Sequence, residues 1–465
     1  MKVTKNREAI LSGNISKVLL SLSLPIMLGN VIQTIYQVTD MYWVSRLADG
    51  DNALGAISFI WPVIFVMLSF GIGINIAGTS MISQYVGMNK QGEARSVAGQ
   101  LISFSLLFSL VLGIIGALYS RDILYMIGAR NEILEYGSLY LGITFSTMPV
   151  MFLFFAYQSI RQGQGDTMTP MILLGSSVIL NIVLDPILMF TLNMGVAGAA
   201  WATVISRALS TVVGVYLLFF SNNGIRLRIS DLNLNLPVLK DIVRIGMPSA
   251  LGQSIDGLGF MVMNIFVLSF GAYTMTAFAI GNKINSLILM PAMGIGGALA
   301  TVVGQNVGAG QTERAGKAVY ASMSLSVLIL SLGGAVIILF APQVVGIFTD
   351  DPLVTQQAVF YLRLITAAIP LMGIFQSLVG CFQGAGHTMT VMYVTTSRLW
   401  GMRIPLILLL KHFTPLAEHS IWYSMVISNL LTCILAYVIF LRGSWKKKTI
   451  KDQVEPDPEP EPALA

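Results

Sequence analysis

Charge is scarce in this chain. Only 11% of its 465 residues are Asp, Glu, Lys or Arg, against about 25% in ordinary soluble domains, which excludes a water-soluble globular fold. Histidine and cysteine are scarcer still, three and two residues respectively. His387, His412 and His419 fall near loops, where solvated rings are expected, and none has metal-ligand spacing with a cysteine or an acid. Cys381 and Cys433 both lie within apolar runs, so no disulfide framework is expected, and buried thiols of this kind are packing residues. No nucleophile stands beside a base or a metal cluster, so nothing favours an enzyme, and no cofactor is implied. A cleavable signal peptide is also unexpected. The first apolar run continues to full membrane length with no small-residue cleavage site.

What the chain has in abundance is apolar length. Hydrophobic residues make up 55% of it, and windows of about 20 apolar residues, enough to cross about 30 Å of hydrocarbon as helix, recur throughout. Twelve are predicted, over 19–44, 53–79, 97–119, 137–160, 170–192, 195–220, 244–270, 277–303, 318–341, 357–381, 388–411 and 419–441. The net charge of +5 invites a nucleic-acid partner, but the distribution of the 27 basic residues excludes one. With the N-terminus inside, eighteen of them fall in inner segments and five outside (Arg46, Arg121, Arg130, Arg363 and Lys411). Arg207, Lys283, Arg398 and Arg403 fall within spans. Such a bias places both termini in the cytoplasm of a multi-pass cell (inner) membrane protein. The lipid bilayer is its expected surrounding and a monomer its expected state.

The chain also repeats itself. RQGQGDTMTPM (161–171) matches CFQGAGHTMTVM (381–392), with Gly163 on Gly384 at an offset of 221 residues. At the same offset Pro149 meets Pro370, and QYVGMNKQGEAR (84–95) meets QNVGAGQTERAG (305–316). SLPIMLG (23–29) resembles GMPSALG (246–252). Chance similarity of apolar sequence would match Leu and Val, not these polar loops. Six spans per half give both halves the same orientation, and parallel repeats imply a pseudo-two-fold axis along the membrane normal. The fold expected is therefore all-α and polytopic, twelve transmembrane helices in two parallel six-helix lobes. Its parts are an N-terminal segment (1–18), an N-lobe (19–220), a linker (221–243), a C-lobe (244–441) and a disordered Pro- and Glu-rich tail (442–465).

Of 22 acidic residues, only Asp40, Asp185 and Asp256 fall inside apolar runs. A carboxylate at mid-bilayer depth costs roughly 2.5–3.5 kcal/mol on insertion scales, which makes each a candidate functional group. Gln33, Tyr36, Gln37 and Asp40 fall at i, i+3, i+4 and i+7, one stripe along the first span. That stripe must face a cavity or partner helices, because lipid satisfies no polar group. Asn181 and Asp185 share a face of the fifth span, and Pro186 frees the carbonyl of Ile182. A carboxylate, an amide oxygen and a free carbonyl suit a monovalent cation, or a carboxyl that takes up a proton. The competing reading is a helix-to-helix hydrogen bond that only holds the bundle. Asp256, with small neighbours and no second acid nearby, suits attraction of a cationic substrate or a structural pairing with Lys283 or another span cation. Arg398 and Arg403 are expected to pair with carbonyls or anchor the bundle.

These features carry a resemblance. LSLPI…QTIYQVTDMYWVSRL, the QGQGDTMTP loop and NIVLDPILMF, on a twelve-span chain, resemble the multidrug and toxic compound extrusion (MATE) family over residues 10–445. The span 1 aspartate and span 5 N-x-x-x-D resemble its branch of archaeal and DNA-damage-inducible bacterial members. The resemblance implies that Asp40, Asn181, Asp185 and Thr203 hold the coupling cation, Na⁺ or H⁺. It implies too that Gln33 and Tyr36, with Gln37 on the same stripe, line the substrate pocket. Asp256 resembles the acidic seventh-span position of another bacterial branch, whose span 10 aspartate is replaced here by Met372. The function implied is a secondary active exporter that antiports cationic, amphipathic drugs against inward Na⁺ or H⁺. The alternatives are a lipid-linked oligosaccharide flippase of the same superfamily and, less favoured, a membrane-embedded hydrolase.

Overall fold

The computed structural model describes residues 2–47, 50–447 and 449–450, and among these all regular structure is helical. A short helix α1 (Lys2–Ser12) precedes the first half: α2 (Ile15–Ser45), α3 (Gly50–Gly87), α4 (Gln91–Leu118), α5 (Ser120–Met126), α6 (Asn131–Ser146), α7 (Met148–Gly163), α8 (Met168–Pro186) and α9 (Gly195–Phe220). The second half holds α10 (Leu236–Leu268), α11 (Ala272–Gly308), α12 (Thr312–Leu339), α13 (Ala341–Gly346), α14 (Pro352–Gly384), α15 (Thr388–Thr396), α16 (Ile404–Phe413) and α17 (His419–Leu441). Ten of these segments are long and apolar enough to cross a membrane, counting α8 with the helical turn that follows it, and α6 with α7, bent by 47°, makes an eleventh. The twelfth is the unbroken helical run 388–413, which carries Arg398, Arg403 and Lys411. Within the best apolar window of each of the ten, only 28–61% of residues are buried. The apolar remainder needs a hydrocarbon surrounding, which a bilayer supplies.

Helix starts follow local chemistry. Asn14 caps α2 by accepting from the Lys17 amide at 3.1 Å, and Asp351 caps α14 by accepting from Leu353 at 2.8 Å, with Pro352 at the first helical position. Pro25 sits inside α2 without interrupting it. Pro186 ends α8, and a π-helical turn, Ile187–Thr191, follows; a second π-helical stretch, Ser397–Arg403, divides α15 from α16. The repeated prolines behave differently. Pro149 opens α7 just past the bend, whereas Pro370 lies inside the continuous α14.

The repeat recurs in backbone detail. Short helices α5 and α13 begin 221 residues apart, and positive-φ residues pair at the same offset: Asn89 with Gly310, Gly165 with Gly386. The halves meet reciprocally, α2 packing on α11 and α10 on α3. At the end that carries the basic loops, α3 and α11 cross so closely that a Cβ on Gly87 would strike the Gln305 carbonyl, and one on Gly308 the Gln84 carbonyl. Around this crossing Gln84 Nε2 donates to the Gly384 carbonyl at 3.1 Å, and Gln305 Nε2 to the Gly163 carbonyl at 2.9 Å. Helix α1 spans the same end. Arg7 donates to Val86 and Gly87 of the first half, while Arg314 of the second donates to Ile10 and Gly13.

The segment expected to link the halves is clamped to α4. Gln100 donates to the Asn233 carbonyl at 2.6 Å and accepts from the Asn235 amide at 2.8 Å. Of the expected disordered tail, residues 442–447 and 449–450 pack instead on the basic end. Trp445 is buried and stacked on Phe440, and Thr449 donates to the Ala385 carbonyl at 2.7 Å. Residues 451–465 lie outside the described residues. An aromatic anchor, invisible in a composition-based reading, makes the difference.

Gly308→Ala should loosen this closed end, since a Cβ against backbone costs about 1–3 kcal/mol unless the helices separate. Spin labels at the exposed Gln91 and Gln311 should show a longer distance distribution in the variant. An unchanged distribution would mean that the crossing does not hold the lobes together.

Candidate ion and substrate sites

In the first half, α2, α8 and α9 converge on a polar cluster. Asn181 and Asp185 are fully buried one turn apart on α8, and Asn181 Nδ2 donates to Asp185 Oδ1 at 3.1 Å. That bond leaves Asn181 Oδ1 and Asp185 Oδ2 without partners, and Asp40 Oδ1 on α2 is likewise buried and unpartnered. Buried polar atoms are nearly always satisfied, so three orphaned oxygens together call for an explanation. Pro186 lacks an N–H, so the Ile182 carbonyl has no donor one turn on.

Thr203 on α9 donates its hydroxyl to the Ala199 carbonyl at 3.1 Å. Its single proton is thereby used, and so the buried Tyr36 hydroxyl, 2.6 Å away, is the donor between the two. Gln33 Oε1 accepts from Arg207 Nη2 at 3.3 Å, and the Arg207 guanidinium stands 5.1 Å from the Tyr36 ring centroid. The structure thus joins Gln33 and Tyr36 to Thr203 and Arg207, beside the Asn181–Asp185 pair. Gln37 is exposed, so the amide stripe is buried along only one edge. Sequence reasoning noted Arg207 as a span cation but gave it no role. Its place four residues after Thr203, on the same face of α9, was the available signal. Two carboxylates against one guanidinium give the cluster a formal charge of −1.

A cavity of about 320 Å³ is lined mainly by second-half helices, α10, α11, α14, the span 388–413 and α17, with Phe65 and Ile76 of α3 also in its wall. Asp256 lines it as the one acid, and of the two roles expected of it the structure shows the pairing with a span cation. Arg398 Nη2 lies 3.8 Å from Asp256 Oδ2, and the expected partner Lys283 is exposed. The reason is local: the π-helical stretch widens the turn that carries Arg398, and with it the face turned to α10. Arg398 therefore pairs with a carboxylate rather than carbonyls, its guanidinium 5.4 Å from the Phe375 ring centroid. Arg403 is a buried anchor as expected, bonded to Ser428 Oγ at 3.0 Å and Asn429 Oδ1 at 2.7 Å. Met372 lines the cavity too, so no second carboxylate joins Asp256 among its described lining residues. Two guanidiniums and one carboxylate give this site a formal charge of +1. Among all described residues no three His, Cys, Asp or Glu form a metal cluster. His387 is not fully solvated: half-buried in its loop, Nε2 3.3 Å from the Lys447 carbonyl, it is held below its ordinary 6.5 by desolvation.

The family model MatE matches residues 25–187 and again 248–409, one copy in each half. The chain belongs to the MATE family. It is 30% identical over 447 residues to the "Probable multidrug resistance protein YoeA" of Bacillus subtilis (strain 168), covering 92% of this chain and 93% of that one. It is 26% identical to the "Multidrug export protein MepA" of Staphylococcus haemolyticus (strain JCSC1435), with 92% and 93% covered. A solved structure described as the outward-facing conformation of a multidrug resistance MATE family transporter of the MOP superfamily superposes with a TM-score of 0.88. That structure is 27% identical, with 95% of this chain and 98% of that chain covered. This MATE protein is a multi-pass membrane transporter and not an enzyme.

Thr203→Val should remove the acceptor for the Tyr36 hydroxyl and cost about 0.5–1.5 kcal/mol. In a cycle with Tyr36→Phe, thermal unfolding of purified protein should give a coupling of similar size, and strictly additive effects would exclude a direct bond.

Proposed function

We propose that the protein is an antiporter that exports cationic, amphipathic compounds from the cytoplasm in exchange for inward Na⁺ or H⁺, acting as a monomer in the cell (inner) membrane. The observation that carries this reading is the trio of buried, unpartnered oxygens on Asp40, Asn181 and Asp185. They offer anionic and neutral oxygen ligands, which suit Na⁺, and either carboxylate can take a proton. Thr203 adds an oxygen that is already oriented by Tyr36, and Gln33, Tyr36 and Gln37 lie along the same helix for contact with the substrate. One charge moving down 100 mV supplies about 2.3 kcal/mol, enough for roughly fifty-fold accumulation. Both termini and the closed, basic end face the cytoplasm in this reading, as the loop charges require. A lipid-linked oligosaccharide fits less well, since 320 Å³ lies at the small end of ordinary ligand sites.

Asp40→Asn and Asp185→Asn should each abolish gradient-driven efflux of a cationic dye from proteoliposomes while leaving folded protein in the membrane. Near-normal export by either variant would reduce that residue to a structural contact.

Ion and drug should also oppose each other's binding. When the cluster holds Na⁺ or a proton its negative charge falls, and with it the affinity for a cation. Linkage makes that coupling reciprocal. Titrating a fluorescent cation against purified protein at rising Na⁺, and separately at falling pH, should weaken binding in at least one series. Affinity indifferent to both would sink the shared-site mechanism.

A further inference from the structure

The Asp256–Arg398 contact in the C-lobe cavity is an unfinished ion pair. At 3.8 Å it is too long for a direct hydrogen bond. Asp256 Oδ1 and Arg398 Nε are both buried and unpartnered, so each side retains strong bonding capacity at the wall of a cavity. Buried charges are costly unless paired and hydrogen-bonded. The site's own charge then selects what can complete the pair. A monocation drawn to Asp256 meets Arg398 and, behind it, Arg403, which Ser428 and Asn429 fix in place. A monoanion drawn to Arg398 leaves Asp256 without its counter-charge. A solute that carries both signs satisfies both groups at once.

We propose that the C-lobe cavity recognises zwitterionic organic solutes, the carboxylate binding Arg398 and the ammonium binding Asp256. Guanidinium and carboxylate match in bidentate geometry, and Arg398 keeps Nε without a partner while its guanidinium carbon lies over the Phe375 ring. Phe375 and the methionines Met293, Met372 and Met392, also in the lining, offer an adaptable apolar wall for the rest of the molecule. The volume of about 320 Å³ limits the bound portion to a small solute or one end of a larger one. The inference relies on the export reading for what the solute does next, not for its binding.

Two probes of one skeleton test it: Nε-dansyl-lysine, a zwitterion, and dansylcadaverine, the same molecule without its carboxylate. Fluorescence anisotropy with purified wild-type protein, no gradient imposed, should show the zwitterion binding at least about tenfold tighter. Arg398→Gln should erase that preference. Because this variant strands Asp256 without a counter-charge and is at risk of misfolding, Asp256→Asn/Arg398→Gln, which removes both charges, is measured beside it and should also show no preference. Equal or tighter binding of dansylcadaverine to wild type overturns the proposal, as does a preference that survives the double variant; either result makes the pair a structural contact only. Efflux of both probes from proteoliposomes separates the two readings. Gradient-driven efflux of dansylcadaverine without zwitterion preference overturns this inference alone, and a binding preference without any gradient-driven efflux overturns the export reading alone.

Discussion

The crossing of α3 and α11 at the basic end is the contact on which the rest of the arrangement depends. Two helix backbones touch there because Gly87 and Gly308 present no Cβ to the carbonyls of Gln305 and Gln84. Once they touch, Gln84 and Gln305 can reach across to carbonyls of the opposite half, and α1 can lie over both halves, its own Arg7 bonded to the first and its Ile10 carbonyl bonded by Arg314 of the second. Hydrogen bonds of this type contribute about 1 kcal/mol each, so the seal is additive and breakable. An opening that parts the halves at this end must break both reciprocal bonds, one from α3 to the end of α14 and one from α11 to the end of α7.

The two halves share a scaffold and differ in charge. The first places Asp40 and Asp185 near Arg207; the second places Asp256 near Arg398 and Arg403. One cluster is formally negative and the other formally positive, although both are built from the first, fifth and sixth spans of their half or the neighbours of these. Each also lies beside a π-helical turn, at Ile187–Thr191 and Ser397–Arg403. A π turn exposes backbone and re-aims side chains without ending the span, which suits a polar site in an apolar layer. Duplication thus supplied the frame, and divergence at a few mid-span positions supplied two sites of different character.

Much of this was legible in the residues. Twelve apolar windows, the 221-residue offset and the three mid-span acids are local or periodic signals, and a bilayer makes them strong because it leaves no backbone group unpaired and few charges unexplained. The spacing of Asn181 and Asp185 stated their contact directly, since residues four apart on a helix are neighbours wherever the helix goes. Repeat alignment also foretold that Gly163 and Gly384 would hold equivalent places, which the mirrored bonds to Gln305 and Gln84 bear out.

Only the tertiary structure decided what those groups meet. That Thr203 accepts from Tyr36, that Gln33 takes Arg207, that Asp256 faces Arg398 rather than Lys283, and that Thr449 ties the tail to the Ala385 carbonyl are contacts between segments far apart in the chain. Each depends on how the helices are rotated against one another, and the Arg398 contact also on the π-helical stretch that carries it, which shifts a side chain's direction by an amount no spacing rule contains. Sequence determined which residues could not face lipid. Packing determined their partners, because in a helical bundle the period sets a residue's face while the neighbouring helix, chosen by shape and close approach, sets its company.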